Sequence, residues 1–377
     1  MNILVVGVES LGQYPPILAL CATLLELGHR VTVMERDCAA LPQTLQDNSN
    51  MEIIDLGKRP SGASRIIDDI AIEKRVRHYC VNNAERFDLV WTTSDISARA
   101  CGKSLFGVKH VMELMELAEY VPAITVRDMP FHSSVVPDLA RRAHRVVVPE
   151  YNRAFIQQAW WRLERLPAVL PNKSVLKASD LDDSINKVDQ GIYNRFKSEA
   201  RKIILYQGVF SADRDFSKLI QAMDEIGDDY ALYLMGVKNC ERERIESLRD
   251  GRKNVVLIPF VPAPLHLAVT KFGHIGLLPY KPVYGRQSPL NALYCAPNKV
   301  WEYSKYGLPM IGSEVPGLVS LFAIHGLGVT CDIDNTDAVV RAVRQIERNY
   351  ETYSDRSKQY FDSVDLAELV QKILDGD

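Results

Sequence analysis

The sequence predicts an α/β protein made of two successive parallel-sheet units, and three observations carry that reading. At 377 residues the chain exceeds what one ordinary hydrophobic core organises, and it suits two domains. Strand-sized apolar runs alternate with helix-length segments along its length. The series breaks once, over 173–202, where Ser, Asp, Lys and Asn dominate and no long apolar run occurs.

In the first half, the continuous apolar run 2–7 predicts a buried parallel strand, and 7–16, rich in Gly and Pro, a turn. Apolar positions then recur at helical spacing from Ile17 to Leu27, with Gly28 at the expected C-cap. A second strand at 30–34 completes a β-α-β unit of Rossmann type with a right-handed crossover. Further strands are predicted at 51–56, 87–92, 109–113, 145–149 and 166–170, the last stopped by Pro171 and Asn172. Residues 1–172 therefore read as one domain. The polar stretch 173–202 reads as a linker with one short helix.

A second series starts with the apolar strand 203–208 and continues at 231–235, 255–258, 275–278 and 309–312. The tail 338–374 reads as two helices broken near Ser354. The second domain is placed at 203–355, and a C-terminal helix at 356–377 is expected to pack back toward the first domain. The architecture predicted is two Rossmann-like domains facing a central cleft.

Composition excludes several classes. Apolar residues at 47% and charged residues at 25% are globular usage. A formal charge of −3 argues against a general nucleic-acid binder. The longest apolar stretches, 3–8 and 255–261, are far short of a bilayer span. Met1 leads straight into a strand, so a cytoplasmic protein is expected. The seven cysteines are scattered and lack C-x-x-C pairing, which indicates neither a disulfide framework nor a zinc site.

Open α/β sheets bind ligands beyond the carboxyl ends of their strands, where helix N-termini and bare backbone N–H groups converge. Four segments of the second half lie there. The first, 208–215, holds Gly208, which lets a phosphate approach the backbone, and Arg214, a fork of donors for a diphosphate. The alternative reading is that Asp213 or Asp215 caps a helix and Arg214 is solvated. The second, 260–264, places Phe260 and Val261 beside exposed backbone, suited either to the edge of a flat base or to an ordinary loop. The third joins Tyr280 to a loop containing Tyr284, Gly285, Arg286 and Gln287, a candidate closing element.

The fourth segment, 296–311, is the most informative. Pro297 presets a helix start, which puts Asn298 and Lys299 at its positive end. Glu302 lies four residues beyond Asn298 and three beyond Lys299, so the three share one helical face. A cation for phosphate beside an anionic acceptor for ribose hydroxyls is what a nucleoside diphosphate requires. A surface ion pair would explain Lys299 and Glu302 but not their coincidence with Pro297 and the following strand.

These segments resemble the C-terminal halves of GT-B glycosyltransferases, particularly glycosyltransferase family 4. The resemblance rests on Pro297, Asn298, Lys299, Glu302 and Tyr303, then Gly307, Pro309 and Ile311, then Val315, Pro316 and Gly317. Tyr206 to Arg214, Arg145 to Asn152 and Val169 to Asn172 extend it. It is continuous over about 200–320 and looser before. It implies that Lys299 and Arg214 neutralise the diphosphate, that Glu302 binds ribose and that Phe260 to Pro262 surround the base. Two positions depart from the family pattern. Tyr294 stands where a second glutamate is usual, and Val209 where a basic residue is usual. Pro279, Tyr280 and the loop before Lys299 are also similar to the xanthan-type glucuronosyltransferases, which invert.

The expected activity is transfer of a hexose-type sugar from a nucleotide diphosphate donor, UDP-sugar favoured. The acceptor would be a glycan or lipid-linked molecule in cell-surface polysaccharide or glycoconjugate synthesis. A GT-B sugar-nucleotide epimerase and a non-catalytic nucleotide-sugar-binding partner are the alternatives. A nicotinamide dehydrogenase is disfavoured because 7–12, bounded by Gly7 and Gly12, lacks G-x-G-x-x-G. Those two glycines remain candidates for an acceptor-side loop. An inverting reaction needs a base for the acceptor hydroxyl, and Glu116 is favoured over Glu113 and Asp128, although an exposed helix carboxylate would look the same.

Residues 141–165 hold six arginines against two glutamates, beside Trp160 and Trp161. That composition suits either peripheral contact with an anionic membrane or a solvated face over buried tryptophans. No cofactor and no metal are expected, since the cations and a helix dipole serve the leaving group. Turnover should therefore survive EDTA; activity lost in EDTA and restored by magnesium would contradict this.

Overall fold

Every strand pairing among the described residues is parallel. The computed structural model describes residues 1–9, 14–36, 41–58, 60, 64–119, 135–174, 185–211, 214–237, 239–283 and 288–376, with backbone alone at 64–66 and 239–241. Gly12, Asp128 and the loop 284–287 singled out above lie outside them, as does Asp213. Two units result: Met1–Asn172 with Asp365–Asp377, and Lys173–Val364.

The first unit contains β1 (Asn2–Val6), β2 (Arg30–Glu35), β3 (Met51–Asp55), β4 (Leu89–Thr92), β5 (His110–Glu113), β6 (Arg145–Val148) and β7 (Ala168–Val169). They lie in the order β3-β2-β1-β4-β5-β6-β7, which reverses direction between β1 and β4. The central strands β1, β4 and β6 are buried runs of apolar residues, as expected where both faces are covered, whereas the edge strand β3 is only partly buried. Leu4, Val6, Met34, Val90 and Met112 share one core with Val136, Leu139, Ala154 and Trp161. The helix Pro15–Glu26 follows β1, with prolines in its first turn and Ile17, Leu20, Cys21 and Leu24 buried.

The helix Leu366–Asp375 also belongs to this unit, against Pro15–Glu26. The Asp365 carboxylate accepts the amides of Ala367 and Glu368 at its start. At its other end Lys109 Nζ donates to the Leu374 carbonyl at 2.7 Å, a cation on a helix C-terminus.

The second unit contains β8 (Lys202–Gln207), β9 (Tyr230–Val237), β10 (Val255–Pro259), β11 (Ile275–Leu278), β12 (Met310–Ser313) and β13 (Gly328–Cys331), ordered β10-β9-β8-β11-β12-β13. Alternate residues feed opposite faces. Leu205, Tyr233 and Leu278 pack with Val300 and Tyr303 on one side. Ile204, Tyr206, Leu232 and Leu277 pack with Phe216, Ile220 and Val343 on the other. No helix among the described residues is long and apolar enough to cross a membrane.

Three sequence expectations change. Part of the supposed linker is built into the second unit. Asp189 caps the helix Gln190–Lys197, whose buried Phe196 meets Tyr233 at 4.7 Å between ring centroids. Lys173, also buried, donates to the carbonyls of Phe361 and Val364 at 2.5 and 2.7 Å.

The tail forms three helices, Thr336–Arg348, Tyr350–Asp362 and Leu366–Asp375, with no break at Ser354. Ser354 and Ser357 are small because their face approaches the turn at Gly307: a Cβ there would lie 2.9 Å from Ser354 Oγ, and Ser357 Oγ donates to Leu308 O at 3.2 Å. The strand β13 carries no clear apolar signal, since three of its four residues are only half-buried.

Two strand ends approach unusually closely in the second unit. Gly236 has φ +118°, and a Cβ on it would lie 1.9 Å from the Gly208 carbonyl oxygen. Gly236→Ala should therefore cost about 2 kcal/mol or more in chemical unfolding; an unchanged midpoint would show that the strand ends part freely.

Candidate functional site

The carboxyl edge of the second sheet gathers the chemistry. Gln207, Met235 and Ile258 stand in one row across β8, β9 and β10, so Gly208 and Phe260 come just beyond the edge and Gly236 lies near the end of β9. Gly208 has φ +135°, and its amide donates to Met235 O at 3.0 Å. A Cβ on Gly208 would meet Lys299 Nζ at 2.8 Å. The backbone angle favours glycine here, and a side chain would also displace the end of Lys299.

Lys299 sits in the first turn of the helix Asn298–Lys305, whose N-cap is Pro297. Asn298 is its first residue, and Pro297 thus stands one place before the helix proper. Lys299 Nζ lies 5.4 Å from the Tyr206 ring centroid. Burial, reinforced by the like charge of Arg214, lowers the ammonium pKa to about 8, while Glu302 pulls the other way. The Lys299 residue as a whole is half-buried.

Arg214 is not the solvated residue of the alternative reading. Its guanidinium lies 3.7 Å from the centroid of the buried Tyr280 ring. Asp215 accepts from the Ser217 amide and hydroxyl at 3.0 and 2.7 Å, at the start of the helix Ser217–Ile226. It also pairs with Lys281 at 3.2 Å. Arg214 thus sits close enough to Lys299 to lower its pKa by like charge.

Glu302 lies one helical turn beyond Lys299 and is 5% exposed. Its Oε2 accepts from Gln207 Nε2 at 2.6 Å, and its Oε1 faces His266 Nε2 at 3.1 Å. Burial pushes its pKa upward, but His266, Lys299 and Gln207 outweigh that and hold it below the ordinary carboxylate value. Next to it, Tyr303 donates to Leu205 O at 3.1 Å and accepts from the Gln207 amide at 3.3 Å. Phe260 and Val209 are large apolar side chains about half exposed at this edge, while Val261 is buried.

The structure therefore brings Gly208, Arg214, Tyr280, Lys299 and Glu302 into one neighbourhood. Sequence reading missed Gln207, His266 and Thr270. The signals were present: Gln207 is the one polar side chain able to hydrogen-bond with an amide at the end of an apolar strand, and His266 and Thr270 are four apart.

The first unit holds the remaining candidates. The Gly7 amide donates to Met34 O at 3.2 Å just after β1. Glu113 ends β5, buried, and accepts from Trp91 Nε1 at 2.8 Å. Burial raises its pKa to about 7 against that hydrogen bond. Glu116 is half exposed and pairs with Arg153 at 3.4 Å. Within the arginine-rich stretch, Arg153 and Trp161 are buried, while Arg141 pairs with Asp138 and donates to Trp161 O.

No protein-family model matches the sequence, and no curated protein does either. Solved structures do match over the whole chain. HepE of Anabaena, in complex with UDP and glucose, superposes with a TM-score of 0.67 at 14% identity, covering 100% of this chain and 98% of that one. Sucrose-phosphate synthase of Thermosynechococcus elongatus gives 0.66 at 17% identity, with 99% and 95% covered. Os79 of O. sativa in complex with UDP gives 0.62 at 13%, with 100% of both chains covered. The chain has the GT-B fold of these neighbours, two parallel α/β sheets flanked by helices.

Lys299 yields a prediction about pH. Its folded pKa lies below its unfolded one, so between about 8 and the ordinary lysine value the unfolded chain binds the extra proton. Stability contributed by this group must then rise with pH across that window and be flat below it. Lys299→Met should remove this rise and raise the thermal midpoint of the ligand-free protein at pH 7. Parallel pH profiles for the two proteins would refute the assignment.

Proposed function

We propose that this protein is a glycosyltransferase that moves a hexose-type sugar from a nucleotide diphosphate donor, with UDP-sugar favoured. The observation that carries the reading is the closeness of two cations, Lys299 and Arg214, at the carboxyl edge of β8, with Lys299 one helical turn from the anionic Glu302. A diphosphate joined to a ribose has the complementary pattern. The UDP complexes of HepE and Os79 support the choice of nucleotide.

In this reading the bond from the anomeric carbon to the diphosphate oxygen breaks as the acceptor hydroxyl oxygen bonds to that carbon. Lys299 and Arg214 take up the charge growing on the diphosphate. Glu302 holds the ribose, and Phe260 with Val261 lines the base. A first-unit carboxylate takes the hydroxyl proton if the reaction inverts: Glu116, or Glu113, whose pKa near 7 suits that task. Membership of family 4 rests on the motif from Pro297 to Glu302, and Tyr294 in place of the usual glutamate leaves stereochemistry outside the proposal.

A glycan or lipid-linked acceptor, a role in cell-surface polysaccharide or glycoconjugate synthesis, and a metal-independent, cytoplasmic enzyme complete it. Peripheral contact with an anionic membrane would use Tyr151, Phe155, Arg141, Arg142, Arg162 and Arg165, which are exposed in the arginine-rich stretch. Sedimentation with anionic liposomes at low salt tests that part.

Calorimetric titration with UDP, GDP and dTDP, followed by donor-hydrolysis assays with the matching sugars, tests the core of the proposal. Lys299→Ala should weaken the preferred diphosphate by about tenfold or more, the value of a charge-assisted contact. Full donor affinity in that variant would overturn the reading.

A further inference from the structure

Glu302 is held from behind by a relay that its proposed role does not by itself require. Gln207 Nε2 donates to Oε2 at 2.6 Å, and His266 Nε2 approaches Oε1 at 3.1 Å. The Gln207 amide cannot flip without penalty, because its oxygen would then face the Glu302 carboxylate, which only accepts; in this orientation its Oε1 accepts from Thr270 Oγ1 at 2.8 Å. The same hydroxyl lies 3.1 Å from the His266 carbonyl, tying the relay to the short helix Leu267–Thr270. Gln207 and Thr270 are 2% and 0% exposed, so water does not substitute for either. Three separate elements, the end of β8, the helix following β10 and the helix Asn298–Lys305, converge on one carboxylate.

The geometry sets the acceptor capacity. An ionised carboxylate offers roughly two lone-pair positions on each oxygen. The protein occupies one on Oε2 through Gln207 and one on Oε1 through His266, whose Nε2 must carry the proton to donate. That leaves one acceptor position on each oxygen, on a carboxylate held by both contacts. Two hydroxyls on adjacent carbons match that pair.

We propose that Gln207, His266 and Thr270 are positioning residues that make Glu302 a two-point acceptor for the vicinal 2′,3′-diol of a ribonucleoside diphosphate. The unit thereby selects against 2′-deoxyribonucleoside diphosphates. The inference rests on the nucleotide-sugar reading above and adds to it the residues that set sugar selectivity in the nucleoside.

Isothermal titration of the full chain with UDP, 2′-deoxy-UDP and inorganic pyrophosphate tests it. Wild-type protein should prefer UDP to 2′-deoxy-UDP by on the order of tenfold to a hundredfold, the value of one hydrogen bond to a buried charge. Gln207→Leu and Thr270→Val should each reduce that ratio to within a few-fold of unity, with pyrophosphate affinity unchanged. His266→Gln, which keeps a donor, should retain the ratio that His266→Leu loses. This last pair decides the matter if the strand variants do not fold.

Folded variants that keep the wild-type ratio would overturn the positioning role while leaving the nucleotide reading intact, as would a wild-type protein that binds both nucleotides equally. A wild-type protein that binds none of the three probes would overturn both.

Discussion

A carboxylate buried in a protein stays ionised only where donors and cations surround it, and the second unit is arranged around that requirement at Glu302. The end of β8 contributes Gln207, the segment after β10 contributes His266, and Lys299 lies one turn back on the same helix. None of these groups would sit at the carboxyl edge of the sheet by chance of composition. Each is costly there alone, and together they offset one another. The neighbouring Tyr303 ties the arrangement to the sheet by bonding both Leu205 and Gln207.

The cations meet a different constraint, which is space. Gly208 and Gly236 let two strand ends touch, and the missing Cβ of Gly208 is where the end of Lys299 lies. Arg214 is spread over Tyr280 nearby. This places two positive groups close together beside Glu302, with burial and Arg214 both depressing the Lys299 pKa, an arrangement suited to an anionic ligand. A buried lysine with a depressed pKa at the carboxyl edge of a sheet is a physical pointer to a binding site.

The first unit uses its carboxylates otherwise. Glu113 is sealed against Trp91 and approaches neutrality near pH 7, whereas Glu116 remains half exposed beside Arg153. Burial distinguishes the environments of two acids only three residues apart, and the proton affinity of Glu113 is raised by its surroundings. The helix Leu366–Asp375, distant in sequence, completes this unit by packing on Pro15–Glu26.

The amino-acid order alone determined the two parallel sheets, because strands covered on both faces must be continuously apolar, and runs such as Ile203 to Tyr206 leave little else to form. It also determined the phase of Lys299 and Glu302 on one helix, since a spacing of three fixes a shared face. Only the tertiary structure decided that Glu302 would turn inward to Gln207 and His266. Those partners come from residues 95 and 36 positions away, and no local periodicity encodes a contact between chain segments that meet only when a sheet closes. The same reason hid the role of Ser354, small because Gly307 approaches it, and the membership of Phe196 in a core. Local chemistry is legible along a chain; the neighbour across a sheet edge exists only after folding.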